Sequence, residues 1–256
     1  MRLDDPLHEA LRLIDLAAAR DLRLRLMGGL AFHAQVPDWT ARSDRAGRDI
    51  DLATRGRDRK AVSDLLIAEG YEPDRQYNAL YGHKQLYFMD AEQRRPVDVL
   101  VDRLEMCHKF EFADRLSKST PTLPLAELLL SKLQVVKINR KDVLDALALL
   151  AEHPLTADDT GINLTRIVAL TSNDWGWWRT LTGNLDGFAA FVTAELQPAD
   201  LDLGGRPPRF DLLRQIADLR AAVDAAPKST RWKLRARVGE RMPWYEEPEE
   251  VGHGRD

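Results

Sequence analysis

The chain reads as an α/β protein: a small mixed sheet with flanking helices over residues 1–120, then a helical domain over 121–256 that closes in an acidic tail. Three observations predict this. Through the first hundred residues, helical, strand, helical, strand and helical periodicities succeed one another and end in a hairpin pattern, the order of a mixed sheet with helices packed on it. Beyond the prolines at 121 and 124 the apolar spacing is mostly helical. With 256 residues and 44% hydrophobic content there is enough apolar material for a packed core.

Taken in order, Leu7, Leu11, Ile14 and Ala18 recur at helical spacing and predict an amphipathic helix over 4–20. Leu22-Arg23-Leu24-Arg25-Leu26 alternates with period two, the pattern of a half-buried strand. It runs into Gly28-Gly29 and a short helix over 30–34 that Pro37 ends. Residues 38–48 are polar and predict a loop; 49–54 predicts a strand and 57–69 a helix stopped by Gly70. Segments 84–89 and 95–102 predict a hairpin around Asp90–Arg94. Helices are expected over 124–137 and 139–152, another containing Trp175, Trp177 and Trp178, and another over 208–225. There is no internal repeat and no long low-complexity segment.

Composition narrows the function classes. A formal net charge of −4 excludes a globally basic nucleic-acid binder and leaves room for a local basic patch. Cys107 is the only cysteine, so no intrachain disulfide and no cysteine-based zinc cluster can form. The N-terminal region carries Asp4 and Asp5 with no sustained apolar run, and nothing approaches the roughly 18 consecutive apolar residues of a membrane span. The expectation is a soluble cytoplasmic protein with no membrane partner.

The chemistry-bearing feature is Asp49-Ile50-Asp51. In a strand, residues two apart project to one face, about 6.6 Å apart along the chain. Asp49 and Asp51 then point together while Ile50 and Leu52 face the core. A third carboxylate, Asp98, lies in Pro96-Val97-Asp98-Val99-Leu100 on the second hairpin strand. Such a trio repels itself without a cation and suits a pair of magnesium ions clamping a triphosphate. Gly28-Gly29 at a strand-to-helix turn would let backbone amides and a helix dipole approach a phosphate, although glycine pairs are common at turns. Further on, Leu125, Leu128, Leu129, Lys132, Leu133 and Val136 share a helical stripe that the lysine interrupts, and Asp142 and Asp145 share a helix face. An inward lysine could reach a triphosphate, with the paired acids orienting it or serving as base; a snorkelling lysine beside an ordinary helix-start acid pair fits the same spacing.

These elements, in this order over residues 22–152, resemble the nucleotidyltransferase superfamily typified by DNA polymerase beta: Gly28-Gly29, Asp49-Ile50-Asp51 and Asp98. The arginine-bearing run Arg45-Ala46-Gly47-Arg48 before the aspartates, with Lys132 and Arg140-Lys141-Asp142-Val143-Leu144-Asp145, looks like the AbiEii-type branch, which includes toxins of toxin–antitoxin pairs. That branch often carries Thr or Ser where this chain has Gly47. The resemblance implies a transferase with a nucleotidyltransferase fold, two Mg²⁺ ions on Asp49, Asp51 and Asp98, and nucleotide binding by Gly28, Gly29, Arg45, Arg48 and Lys132. It implies in-line attack of a hydroxyl on the alpha phosphate of a nucleoside triphosphate such as ATP, with Asp98 the first candidate for general base and Asp142 and Asp145 the others. The acceptor it implies is tRNA, with an antitoxin protein as partner. A small-molecule (antibiotic) nucleotidyltransferase and a non-catalytic nucleotide- or partner-binding member are the competing readings.

Other features carry less. His33 is expected to be structural, and Asn163-Leu164-Thr165 is a glycosylation sequon without meaning in a cytosol. Trp175, Trp177 and Trp178 fit core packing better than base stacking. Lys228, Arg231, Lys233, Arg235, Arg237 and Arg241 around Trp232 fit either a grip on a phosphate backbone or a solvated face answering the acidic tail.

Overall fold

The structure is a computed structural model that describes residues 2–42 and 49–247. Helix α1 (Pro6–Ala18) begins at Asp5, whose side chain accepts from the His8 amide, and buries Ala10, Leu13, Ile14 and Ala17. Strand β1 (Leu24–Met27) follows, then α2 (Gly28–Gln35), a 3₁₀ turn over Pro37–Arg42, β2 (Ile50–Thr54) and α3 (Arg59–Ala68). Next come β3 (Glu72–Pro73), α4 (Arg75–Tyr81), β4 (Gln85–Asp90), β5 (Arg95–Val101), and a small hairpin of β6 (Arg103–Glu105) and β7 (Lys109–Glu111). Helices α5 (Leu125–Leu133) and α6 (Arg140–Glu152) lead through the short pair β8 (Leu155–Thr156) and β9 (Ile162–Asn163) into α7 (Leu164–Asn173), α8 (Trp175–Ala194), α9 (Leu212–Ala225) and α10 (Thr230–Val238). The expected α/β class, a small mixed sheet with helices and a helical second half, is what forms. None of the helices among the described residues is long and apolar enough to cross a membrane.

The main sheet has the order β1-β2-β5-β4-β3. Only β2 and β5 run parallel; the other neighbours are antiparallel. Ile50, Leu52, Val97 and Val99 are fully buried on one face of this parallel pair, as the alternation in both sequences demands. Buried residues form one continuous cluster from α1 through the sheet to α9, with α5 and α6 packed on α2.

Both sheet edges are occupied by something other than an open strand. The alternation predicts a half-buried β1, yet all four of its residues are buried. Beside it, the Leu26 amide donates to the Pro121 carbonyl and the Leu123 amide to the Leu26 carbonyl, each at 2.9 Å. Arg25, nominally the exposed residue of the alternation, lies under this segment and donates to the carbonyls of Leu24 and Ser119. At the opposite edge, the Asn78 side chain imitates a strand: its Nδ2 donates to the Tyr87 carbonyl (3.0 Å) and its Oδ1 accepts from the Tyr87 amide (2.7 Å).

Candidate active site

In the parallel register Asp51 lies directly beside Asp98, as Ile50 lies beside Val97. Directly paired residues share a sheet face, so the two carboxylates stand together on the face opposite the buried valines. Asp49 is exposed and sits one residue before β2 begins. Asp51 also pairs with Met27 at the end of β1, which places it at the start of α2. There Gly28 has φ +62°, and a Cβ on it would overlap the Asp51 carboxylate. Only glycine satisfies both the left-handed backbone and the close approach.

The electrostatics follow from this crowding. Burial pushes the Asp51 carboxyl up to about 7, and the like charges of Asp98 and Asp49 push in the same direction, against weaker opposing pulls from Lys132 and Lys141. Asp98 is oriented by Gln85, whose Nε2 donates to its Oδ1. The Tyr77 hydroxyl donates to Gln85 Oε1 at 3.1 Å and so fixes which way that amide faces. Burial, and next the charge of Asp98, hold the Tyr77 phenol above its ordinary range.

Behind α2, the ammonium of Lys132 on α5 lies 5.1 Å above the Phe32 ring. It donates to Asp142 and stands 2.9 Å from Asp145 Oδ2, an ion contact rather than an aligned hydrogen bond. Asn139 caps α6 by accepting from the Asp142 amide and donates through Nδ2 to the Asp142 carboxylate, both at 2.9 Å. The i,i+3 acids therefore converge on one lysine, as their spacing predicts. Burial lowers the Lys132 pKa, but Asp145 and Asp142 outweigh it and the net shift is upward. Lys141, one residue before Asp142, brings its Nζ to 4.0 Å from where a Gly29 Cβ would sit. Met27 at the N-cap offers α2 no side-chain cap, which leaves the first amides of the helix for an anion.

The structure thus brings Gly28, Gly29, Asp51 and Asp98 together, with the Lys132–Asp142–Asp145 triad packed behind them. Arg45 and Arg48 lie outside the described residues, as does Gly47. Among the described residues no three His, Cys, Asp or Glu side chains gather closely enough to hold a metal ion as they stand. The convergent unit is the pair Asp51 and Asp98, with Asp49 adjacent. Its chemistry still fits a hard divalent cation: the donors are carboxylate oxygens, and burial together with the like charges of Asp98 and Asp49 disfavours the ionised form of Asp51.

Three participants escape a reading of motifs. Gln85 and Tyr87 alternate on β4 and Tyr87 pairs with Asp98, so the polar Gln85 on the carboxylate face is a usable signal once register is known. Tyr77 lies on α4, which buries no residue and has no apolar periodicity to announce it. Lys141 is visible within the acid motif, but its reach to Gly29 depends on how α6 crosses α2. His33 is buried, edge-on to Trp39 at 6.2 Å, in keeping with a structural role.

No protein-family model matches the chain, and no curated protein matches it. Among solved structures it is similar to a STING-associated CdnE c-di-GMP synthase from Capnocytophaga granulosa, at 14% identity and a TM-score of 0.30, over 87% of this chain and 82% of that one.

Proposed function

We propose that the chain is a metal-dependent nucleotidyltransferase that moves a nucleoside monophosphate from a nucleoside triphosphate to a hydroxyl acceptor. The observation that carries this reading is the in-register pairing of Asp51 with Asp98 beside the uncapped start of α2, where Gly28 has no room for a side chain. Asp51 and Asp98, with Asp49, are the residues that would hold Mg²⁺, which when bound neutralises phosphate charge and lowers the pKa of an attacking hydroxyl.

The chain's own groups divide the remaining work. The amides of Gly28 and Gly29 face phosphate oxygens at the positive end of α2. Lys141, beside Gly29, supplies positive charge there. The motif assigns that role to Lys132, but two carboxylates already neutralise it, so it acts through position: it ties α6 to α5 over the Phe32 ring of α2 and keeps Lys141 in reach. Asp98, aimed by Gln85, takes the proton of the acceptor hydroxyl as its oxygen attacks the alpha phosphorus and the bond to pyrophosphate breaks. Asp142 and Asp145 are committed to Lys132, which favours Asp98 as the base.

The finer reading takes a tRNA end as acceptor and an antitoxin as protein partner; it rests on the motif resemblance over residues 22–152. The test is incubation with each triphosphate labelled at its alpha phosphate, Mg²⁺, total RNA and cell extract. Label should enter RNA and fall by at least about a hundredfold in Asp51→Asn and Asp98→Asn. Label confined to small molecules would replace the tRNA reading with a small-molecule acceptor, and label in no fraction would overturn the transferase reading.

A further inference from the structure

A cleft of about 700 Å³ opens between the β6–β7 turn, the start of α8, helix α10 and residues 243–246. It shares no lining residue with the carboxylate site. The tryptophan run and the basic stretch, separate features of the sequence, meet here: Trp175, Trp232, Trp244 and Tyr245 line it together with Arg231 and Lys109. Its size falls within the roughly 300–1,000 Å³ of small-molecule sites; a cluster built for packing alone would close over it.

The charges inside do not cancel evenly. Asp174 caps α8, accepting from the Trp177 amide at 3.1 Å. Glu246 is paired with Lys109 at 3.2 Å. Arg235 lies 4.8 Å over the Trp175 ring and donates to the carbonyls of Gly239 and Met242. His108, beside them, is kept neutral by burial, its pKa pushed down to about 4. Arg231, one turn before Arg235 on α10 and exposed, has no ion pair among the described residues. Trp178 meets Trp232 at 76° and Trp175 meets Trp244 at 78°, both edge-on, while Trp175 and Trp178 are tilted at 39°; Lys228 lies 5.8 Å over the Trp232 ring and Arg179 5.8 Å over the Trp244 ring. Trp232 Nε1 is removed from solvent and has no hydrogen-bond partner.

We propose that this cleft binds a nucleobase with its adjoining phosphate, the base stacked on an indole and the phosphate held by Arg231. A free nucleotide and a single-stranded RNA end present the same chemistry. As the place where the acceptor strand is held, the cleft rests on the transferase reading above; as a binding site it stands alone.

The test is equilibrium dialysis of the full chain against AMP and against a labelled single-stranded ten-nucleotide RNA, at two salt concentrations. Saturable binding is expected, weakened about tenfold or more by Trp232→Ala and by Arg231→Glu, with Arg231→Glu also reducing the salt dependence by about one counterion. Arg231 is exposed, so its replacement should leave the melting temperature unchanged. Tighter binding of the oligonucleotide than of AMP identifies an RNA strand as the occupant, and equal binding a free nucleotide. Binding of neither ligand, or equal binding by wild type and Arg231→Glu, overturns the proposal. Binding that persists when no label is transferred to any acceptor would sink the transferase reading and leave the cleft standing. Transfer undiminished in both variants would sink the cleft as acceptor site and leave the transferase reading standing.

Discussion

Asp51 is an acid that the fold discourages from ionising. Its carboxyl titrates near 7 in the folded chain against an ordinary value of 3.8, so the folded state holds a proton that the unfolded state releases between those two values. Its contribution favours folding below about pH 4 and is lost as pH rises towards and past 7, at about 1.4 kcal/mol for each tenfold change in proton affinity. His108 works in the opposite sense: its pKa falls from 6.5 to about 4 on folding, so stability is lost as pH drops through that window. The difference between wild type and Asp51→Asn isolates the aspartate. Urea denaturation should show Asp51→Asn gaining roughly 2–4 kcal/mol on wild type between pH 4 and pH 8 in chelator, and Mg²⁺ at pH 8 should stabilise wild type more than the variant. A pH-independent difference would refute the assigned environment. At this scale the sequence disclosed the acids well, because period-two spacing between apolar neighbours determines which side chains share a face. It disclosed Gln85 and Lys141 poorly, since their roles depend on the register of β4 against β5 and on the crossing of two helices.

Among elements, α5 and α6 are joined by a buried charge cluster at the back of the site. Asp145 is 1% exposed, and removing its lysine would leave two acids facing each other. Lys132→Met is expected to cost about 3–5 kcal/mol in unfolding free energy and to reduce transfer by loosening Lys141. Adding Asp142→Asn and Asp145→Asn to that variant should recover much of the stability; no recovery would mean the lysine matters for packing rather than charge. The lysine inside an apolar stripe and the i,i+3 acids make this cluster readable before any coordinates. Strand β1 departs from its pattern for a definite reason: alternation reports which residues are polar, not whether another segment covers them. Here residues 121–123 do, and Arg25 meets backbone carbonyls instead of water.

Across the whole molecule, Glu127 ties the sheet side to the helical half. It is fully buried and accepts from Arg115 Nε and Arg166 Nε, each at 2.9 Å. Arg166 also donates to the Glu111 carbonyl at the end of β7 (2.6 Å), and Arg115 to Asp159. Glu127→Ala takes the shared buried carboxylate from two guanidinium groups, leaving Arg115 with Asp159 and Arg166 with the Glu111 carbonyl, and should lower unfolding free energy by about 1–3 kcal/mol. Because one core runs through both halves, calorimetry of this variant should still show a single transition, and two resolved transitions would contradict that continuity. The treatment of the sheet edges reaches beyond stability. One border is covered at Leu26 by residues 121–123 and the other is blunted by the proline in β3 and by the Asn78 carboxamide at Tyr87, which interrupts, among the described residues, the row of amides a foreign strand would zip onto. The main sheet is thereby protected from edge-to-edge aggregation, and an accompanying protein that docks on this chain must grip helices and side chains instead of extending the sheet.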